Sequence, residues 1–151
     1  MGVNIFFNPE GDEIVSYPLG GALDMAFFGG RHGVSLECAY IYQNIDGFKE
    51  HTVEPGISYL VKAQKNNRAD IDFRLGAVAN INFLDYDRIT CAFGGRIGME
   101  MNFFMSRHSF FNLGMHVKGL SPVMDATDGF RMLTSVWSVD FELGAGIGIA
   151  F

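Results

Sequence analysis

The sequence predicts an all-β fold, an eight-stranded antiparallel up-and-down barrel that occupies residues 1–151 as a single domain. Three observations lead to this prediction: the composition, a strict two-residue alternation of apolar and polar positions, and an even number of alternating segments. Gly occurs 19 times and Phe 15 times, whereas Pro occurs only 4 times. This composition favours strands joined by tight turns over a helical bundle.

The alternation is clearest in the last segment of the chain. From Leu133 to Phe151 most odd positions are apolar, and the even positions include Asp140, Glu142 and three glycines. Side chains of a strand point alternately to its two faces, so this segment has one apolar face and one polar or small face. The same division recurs in the upstream segments and predicts strands there as well.

Eight segments of this kind are predicted as strands. They cover residues 2–8, 18–29, 33–44, 52–64, 69–84, 88–105, 109–120 and 131–151. Most are long enough for a tilted strand to cross a bilayer, which takes about ten residues. An even number of strands places both termini at one end of the barrel, and the connectors at that end contain Arg31, Lys65, Arg68 and Arg107. The connectors at the opposite end contain acidic residues, namely Glu10, Asp12, Glu13, Asp46, Glu50, Asp85, Asp87, Asp125 and Asp128.

Composition and hydropathy exclude two classes of protein. The formal net charge of −6 and the lack of a basic stripe argue against nucleic-acid binding. No run of 18 apolar residues occurs, so a transmembrane helix is excluded. Cys38 and Cys91 fall on apolar positions of separate predicted strands and are predicted to be free, buried thiols, although spacing alone leaves a bridge open. The first residues lack a signal-peptide pattern, so an exported form is expected to have its signal peptide outside these residues.

A soluble, lipocalin-like barrel would show the same alternation with the apolar face turned inward. Three features instead predict a transmembrane barrel with the polar face inside. Glycines cluster on the polar face, as a narrow and crowded interior requires. Aromatic residues lie near the strand ends, as in interfacial girdles. Opposite charges share the polar face, where burial demands that they pair. The predicted interior charge network consists of Asp24, Glu37, Glu54, Lys62, Asp72, Arg74, Arg96, Glu100, Lys118, Asp140 and Glu142.

The C-terminal segment resembles that of a known family. The chain ends in Phe151, and apolar residues occupy every second position before it, namely Phe141, Leu143, Ala145, Ile147 and Ile149. This pattern resembles the C-terminal strand of outer-membrane proteins that the barrel-assembly machinery recognises. Over its whole length the chain resembles the small bacterial OmpA/OmpX/OmpW-like barrels. The resemblance implies a location in the bacterial outer membrane with both termini in the periplasm, and contacts with outer-membrane lipid and with the assembly machinery.

Residues with catalytic potential do not form a recognisable site in the sequence. His108 and Ser109 invite comparison with barrel lipid-A deacylases, but adjacent strand residues point to opposite faces, and His116 is predicted to point inward. The interior carboxylates are interpreted as members of salt bridges rather than as acid/base pairs. His32 and His51 lie in turns without the spacing of metal ligands. We therefore predict no catalytic residue, no metal and no cofactor.

The sequence thus predicts a Gram-negative outer-membrane β-barrel that is not an enzyme. The preferred function is a structural or accessory-subunit role in a larger outer-membrane complex, with other outer-membrane proteins as partners and no nucleic acid. The first alternative is a narrow pore or a small-ligand-binding barrel, because interior glycines and alanines would leave a path for water. A lipid-modifying outer-membrane enzyme is the more distant alternative.

Overall fold

A computed structural model describes the backbone of residues 4–7, 13–16, 19–45, 48–65, 68–84, 88–127 and 129–150. Within these ranges every regular element is a β-strand, and no helix occurs. The strands are β1 (Asn4–Phe7), β2 (Glu13–Ser16), β3 (Leu19–Gly29), β4 (His32–Ile45), β5 (Phe48–Lys65), β6 (Ala69–Leu84), β7 (Arg88–Phe104), β8 (Ser109–Leu120), β9 (Met124–Asp125), β10 (Arg131–Met132) and β11 (Ser138–Ile149). The prediction of an all-β chain is confirmed for the described residues.

The main sheet is an antiparallel meander. Seven long strands follow one another in chain order as β3, β4, β5, β6, β7, β8 and β11, and each pairs with the next. Every pair of neighbours in this series is antiparallel, which is the up-and-down topology that the sequence predicts. The turns β3–β4, β5–β6 and β7–β8 lie at one end of the sheet, here called the terminal rim. The end of β4, the start of β5, the end of β6, the start of β7 and residues 126–127 and 129–130 lie at the other end, here called the far rim.

Most strand boundaries agree closely with the predicted segments. β3, β4, β6, β7 and β8 begin and end within about one residue of them. The predicted strand 52–64 starts earlier, at Phe48, because the ladder between β4 and β5 continues to the pair of Ile45 with Phe48. The polar run from Lys49 to His51 hides this extension in the sequence, since charged residues are depleted from strands.

The predicted strand 131–151 is interrupted near the far rim, where β9 and β10 extend β8 and β11. Met132 pairs with Met124, and Ser138 pairs with Leu120. Met132 and Ser138 are six residues apart in the chain, whereas their partners are only four residues apart. The two extra residues fall within 133–137, which is not strand, so the prediction of an uninterrupted strand is wrong there. An insertion of two residues returns every later side chain to its original face. The alternation therefore gives no sign of the interruption.

The N-terminal strands differ from the predicted arrangement. The predicted strand 2–8 corresponds to β1, but β1 pairs with β2, which lies within the predicted connector 9–17. β2 comes close to β4, the strand that pairs with the edge strand β3. β1 approaches β11, which forms the opposite edge of the main sheet. Among the described residues, no strand pairs with the outer edge of β3 or of β11. The described structure is therefore a curled, open sheet, and an eight-stranded closure is not part of it.

Ion pairs between distant strands define which face of the sheet is concave. Arg96 on β7 contacts Glu37 on β4 at 2.5 Å, and Lys118 on β8 contacts Glu54 on β5 at 2.6 Å. Each pair joins strands three positions apart, and three strand spacings in a flat sheet measure about 14 Å. The sheet must therefore curl toward its charged face. This face is called the inner face below, and the opposite face the outer face.

Candidate functional site: the charged inner face and the apolar outer face

The usual distribution of polar and apolar residues is inverted in this sheet. Twelve polar or charged residues are buried among the described side chains, against five hydrophobic ones. Arg96 and Lys118, which are 2 % and 1 % exposed, are the largest fully buried side chains. Side chains of this kind are almost never buried unless they are paired, so their partners determine what the inner face can do.

Arg74, on β6, holds three carboxylates from three other strands. Its Nη1 contacts Glu37 at 2.6 Å, and its Nη2 contacts Glu100 at 2.7 Å and also Asp24. Asp24 belongs to the edge strand β3, Glu37 to β4 and Glu100 to β7. The guanidinium of Arg74 therefore links carboxylates from three strands of the main sheet. A guanidinium has five N–H donors and always carries its charge, which suits it to such a shared position.

Arg96 and Lys118 continue the network toward the last strand. Arg96 binds Glu37 through two hydrogen bonds of 2.9 and 2.5 Å and lies 3.9 Å from Glu54. Lys118 contacts Glu54 at 2.6 Å and Glu142 at 2.7 Å, and its Nζ lies 3.8 Å from Asp140. Glu37 and Glu54 thus bridge the three cations into one continuous network.

Asp72 is the member of the predicted network that forms no ion pair in the described structure. Lys62 instead pairs with Asp70 at 2.9 Å and lies 4.2 Å from the centre of the Phe28 ring. The Asp72 carboxylate, 4 % exposed, accepts a hydrogen bond of 3.0 Å from Asn102. The other ten predicted residues each take part in at least one ion pair.

Three polar residues of the inner face, Asp70, Asn102 and Asn112, are not members of the predicted charge network. Asp70 pairs with Lys62, and Asn112 donates a hydrogen bond of 2.7 Å to Asn102. All three have the same parity along their strands as the residues that were predicted. Parity would therefore have identified them, whereas a search restricted to charges that could be matched did not.

His116 lies where the sequence predicts it, on the inner face. Its Nε2 is 3.3 Å from Glu100 Oε1, and its ring occupies the space beside Gly98, where an added Cβ would overlap the imidazole. Glycine at this position is thus explained by a close approach, in line with the predicted crowding of the polar face. Phe110 fills the space beside Gly148 in the same way and forms an edge-to-face contact with Phe104, at 6.0 Å, near the terminal rim.

The inner face also has an apolar layer between the charge network and the far rim. Val78, Ala92 and Leu120 form a buried cluster there. Beyond it, Thr52 donates to Asn82 at 2.9 Å, and Asn82 is 3.3 Å from the hydroxyl of Thr90. Charged, apolar and neutral polar layers therefore succeed one another along the inner face.

The outer face is apolar and open. Thirty large hydrophobic side chains are exposed among the described residues, and most of them have the strand parity of this face, such as Leu75 at 62 %. The predicted C-terminal signal residues on β11 belong to this set, namely Phe141, Leu143, Ile147 and Ile149. Phe151 lies outside the described residues. Cys38 is also exposed on this face, so the prediction that it is buried is wrong, whereas Cys91 is buried and both thiols are free.

Two tyrosine–histidine pairs lie at opposite ends of the ladder between β4 and β5. Tyr59 Oη is 2.6 Å from His32 Nδ1 near the terminal rim, and Tyr40 Oη is 2.7 Å from His51 Nδ1 toward the far rim. The rings of Tyr42 and His51 also contact each other, at 5.1 Å between centroids. Between the two pairs the outer face of this ladder carries aliphatic residues, Cys38 and Pro55. Amphipathic aromatic rings of this kind suit the boundary between an apolar layer and water.

The residues considered for catalysis do not assemble. His108 Nδ1 lies 3.3 Å from the carbonyl of Ala150, and the Ser109 hydroxyl is 2.8 Å from that of Ser106. In the described region, no hydrogen bond joins the His108 imidazole to the hydroxyl of Ser106 or Ser109. The contact between His108 and Ser106 is made by the backbone, because the amide of His108 donates to the Ser106 hydroxyl at 3.2 Å. Within the described ranges, no group of three or more His, Cys, Asp or Glu side chains is arranged to hold a metal ion.

At the far rim, one acidic residue is tied to a neighbouring strand. Arg88 Nε donates to Asp125 Oδ2 at 2.8 Å, and the amide of Thr127 donates to Asp125 Oδ1 at 2.9 Å. The bond from Arg88 lowers the pKa of the Asp125 carboxyl below its ordinary value of 3.8. The predicted rim residues Glu10, Asp12, Asp46, Asp85, Asp87 and Asp128 lie outside the described residues.

Comparisons with known proteins identify no relative. No family model matches the chain, and no curated protein or solved structure matches it. A search of the described residues for a helix long and apolar enough to cross a membrane finds none.

Proposed function

We propose that the chain is an integral β-barrel of the bacterial outer membrane with a structural or accessory role in a larger outer-membrane complex. The observation that carries this proposal is the inversion of the sheet, with a charged inner face and an apolar outer face. Contiguous apolar patches on soluble monomers rarely exceed a few hundred Å². An entire sheet face of exposed Leu, Ile, Phe and Met side chains requires an apolar surrounding, and lipid supplies one on every side of a barrel.

The extent of the apolar outer face fits a bilayer. Along the β4–β5 ladder, Tyr59 is paired with Val34 and His51 with Tyr42, so the two tyrosine–histidine levels are eight residues apart on β4. At about 3.4 Å per residue this distance is about 27 Å along the strand. A strand tilt of about 40° reduces it to about 21 Å along the membrane normal, close to the apolar band of about 25 Å in outer-membrane barrels.

Closure of the barrel follows from strand direction. The main sheet has seven strands, so its edge strands β3 and β11 run in the same direction, and direct pairing between them would be parallel. One further strand, running opposite to both, makes every contact antiparallel. β1 is our candidate for this closing strand. It runs antiparallel to β2, the strand that precedes β3 in the chain, and it approaches β11. In lipid the closure is needed, since unpaired backbone groups at open edges each cost several kcal/mol.

The ion pairs and the apolar layer of the inner face favour a structural role over conduction. Water or an ion moving along it would have to pass the network of Arg74, Arg96 and Lys118 and then the apolar layer at Val78 and Leu120. An ion would therefore have to displace direct ion pairs and then pass apolar side chains that offer it no hydrogen bonds. We therefore rank the accessory role above the narrow pore.

Refolding from denaturant into detergent micelles tests the membrane assignment. A folded barrel is expected to migrate faster on a gel before boiling than after it. Trp137, the only tryptophan, is 69 % exposed immediately before β11, so its fluorescence should shift to shorter wavelength on folding into lipid vesicles. Brominated lipids should quench it. A protein that is soluble and monodisperse without detergent, with unquenched Trp137, would refute the assignment. If the chain folds as a membrane barrel, a pull-down in mild detergent tests whether it binds other outer-membrane proteins.

A further inference from the structure

The terminal rim of the sheet carries arginines in successive turns. Arg31, Arg68 and Arg107 are all exposed, and each belongs to a different one of the three turns at this end. Backbone hydrogen bonds fix these turns to neighbouring strands. The amide of Lys62 donates to the carbonyl of Arg31 at 2.8 Å, and the amide of Phe104 donates to that of Arg68 at 2.9 Å. The arginines therefore have defined places along one rim.

Two of these arginines have no acidic partner in the part of the chain that the structure describes. Neither Arg31 nor Arg107 has a carboxylate within 4.0 Å among the described residues, whereas every arginine of the inner face is paired. At the far rim Arg88 is paired as well, with Asp125. An exposed and unpaired guanidinium is available for an external anion, and its fork of N–H donors matches a phosphate group.

The position of the two arginines indicates which anion they meet. Arg31 directly precedes His32, whose bond to Tyr59 marks the end of the apolar outer face on this side. Arg107 follows the exposed Met105 by two residues, just beyond the end of β7. Both guanidiniums thus lie where an apolar wall gives way to water, which in a bilayer is the level of the lipid phosphates.

We infer that the terminal rim binds the phosphate of anionic phospholipids, with Arg31 and Arg107 as the contacts. This inference rests on the proposed function, since it needs the outer face to be embedded in lipid. Beyond that function, we infer that the barrel prefers anionic phospholipids in the leaflet that surrounds the terminal rim. The acidic connectors at the far rim disfavour the same lipids there, so the basic rim also gives the barrel an electrostatic orientation.

Spin-labelled lipids measure this preference directly. The barrel is refolded into phosphatidylcholine vesicles that contain a trace of either spin-labelled phosphatidylglycerol or spin-labelled phosphatidylcholine. Electron paramagnetic resonance then gives the fraction of each label that is immobilised at the protein. We expect phosphatidylglycerol to be preferred by roughly threefold at low salt, and the preference to fall toward one in about 0.5 M NaCl, where charges are screened.

A double variant and a matched control assign the preference to the rim. Arg31→Gln combined with Arg107→Gln should abolish it. The control is Arg131→Gln, at an exposed arginine of the acidic far rim, where the acidic connectors repel anionic lipid, and it should leave the preference unchanged. Equal association of the two lipids with the wild-type barrel would overturn the inference, and so would an undiminished preference in the double variant. Both results leave the proposed function intact as long as lipid is immobilised and the folded gel band forms. Failure of the chain to immobilise any lipid would overturn the proposed function and this inference together.

Discussion

The substitution Lys118→Met tests whether the inner-face network excludes water. Lys118 is 1 % exposed and contacts Glu54 and Glu142 at 2.6 and 2.7 Å, with Asp140 at 3.8 Å. Methionine has a similar length and no charge, so the change removes the cation with little loss of volume. Glu142 and Asp140 lose their only described cationic partner, and Glu54 keeps Arg96 at 3.9 Å.

The expected cost follows from the burial of these groups. Removing one partner of a buried ion pair costs about 3–5 kcal/mol, because the remaining charge is left without compensation. An exposed pair would lose only about 0–1 kcal/mol. Since Lys118 and its nearest carboxylate on Glu54 are almost fully buried, we expect the higher range. That range corresponds to a decrease of roughly 10² to 10⁴ in the folding equilibrium constant.

Urea unfolding in detergent micelles measures the effect, with gel mobility and Trp137 fluorescence as independent readouts. The matched control is Met115→Leu, on the outer face of the same strand, which should change the free energy of unfolding by less than about 0.5 kcal/mol. Adding Glu142→Gln to Lys118→Met removes one uncompensated carboxylate and should recover about 1–3 kcal/mol. A loss below about 1 kcal/mol in Lys118→Met, or no recovery in the double variant, would show that water already solvates these carboxylates.

Three further predictions address the outer face, the packing around a glycine and the far rim. Leu75→Arg, at a 62 % exposed position of β6, should cost about 2–4 kcal/mol in a bilayer, whereas Leu75→Phe should be nearly neutral; an equally small effect of both in vesicle unfolding would contradict a lipid-facing wall. Gly98→Ala should lower the free energy of unfolding by about 1–3 kcal/mol because the new Cβ overlaps the His116 ring, and adding His116→Ala should restore part of it in urea titrations. Because Arg88 lowers the pKa of Asp125, this carboxylate stabilises the fold above pH 3.8 and loses that effect as the pH falls through its lowered pKa. Asp125→Asn should therefore be less stable than wild type at pH 7, and a difference that persists unchanged in unfolding measurements at pH 2 would contradict the pairing.

Much of the architecture was predictable because the side chains of a strand alternate between its two faces with a period of only two residues. Alternation over ten or more residues identifies both the strand and its two faces, whatever its neighbours are. It predicted β3, β4, β6, β7 and β8 closely, and it assigned Arg74, Arg96 and Lys118 to the polar face. Ten of the eleven residues in the predicted charge network form ion pairs for the same reason.

The N-terminal pairing and the interruption at 133–137 were not predictable. β1 has four residues, too few for a periodic signal to distinguish a partner in β2 from one in β3. The two extra residues before Ser138 conserve parity and leave the alternation unchanged. The enclosure of the predicted network in an eight-stranded barrel stays a prediction.

The sequence by itself determined which side chains share a face, because that depends only on the geometry of a single strand. Tertiary structure alone decided which cation meets which carboxylate. Arg96 reaches Glu37 across three strand spacings only because the sheet curls, and Lys62 pairs with Asp70 although Asp72 is its direct cross-strand neighbour. Curl and register are properties of the whole sheet, set by the twist and hydrogen bonding of all its strands together. No local pattern of residues contains them.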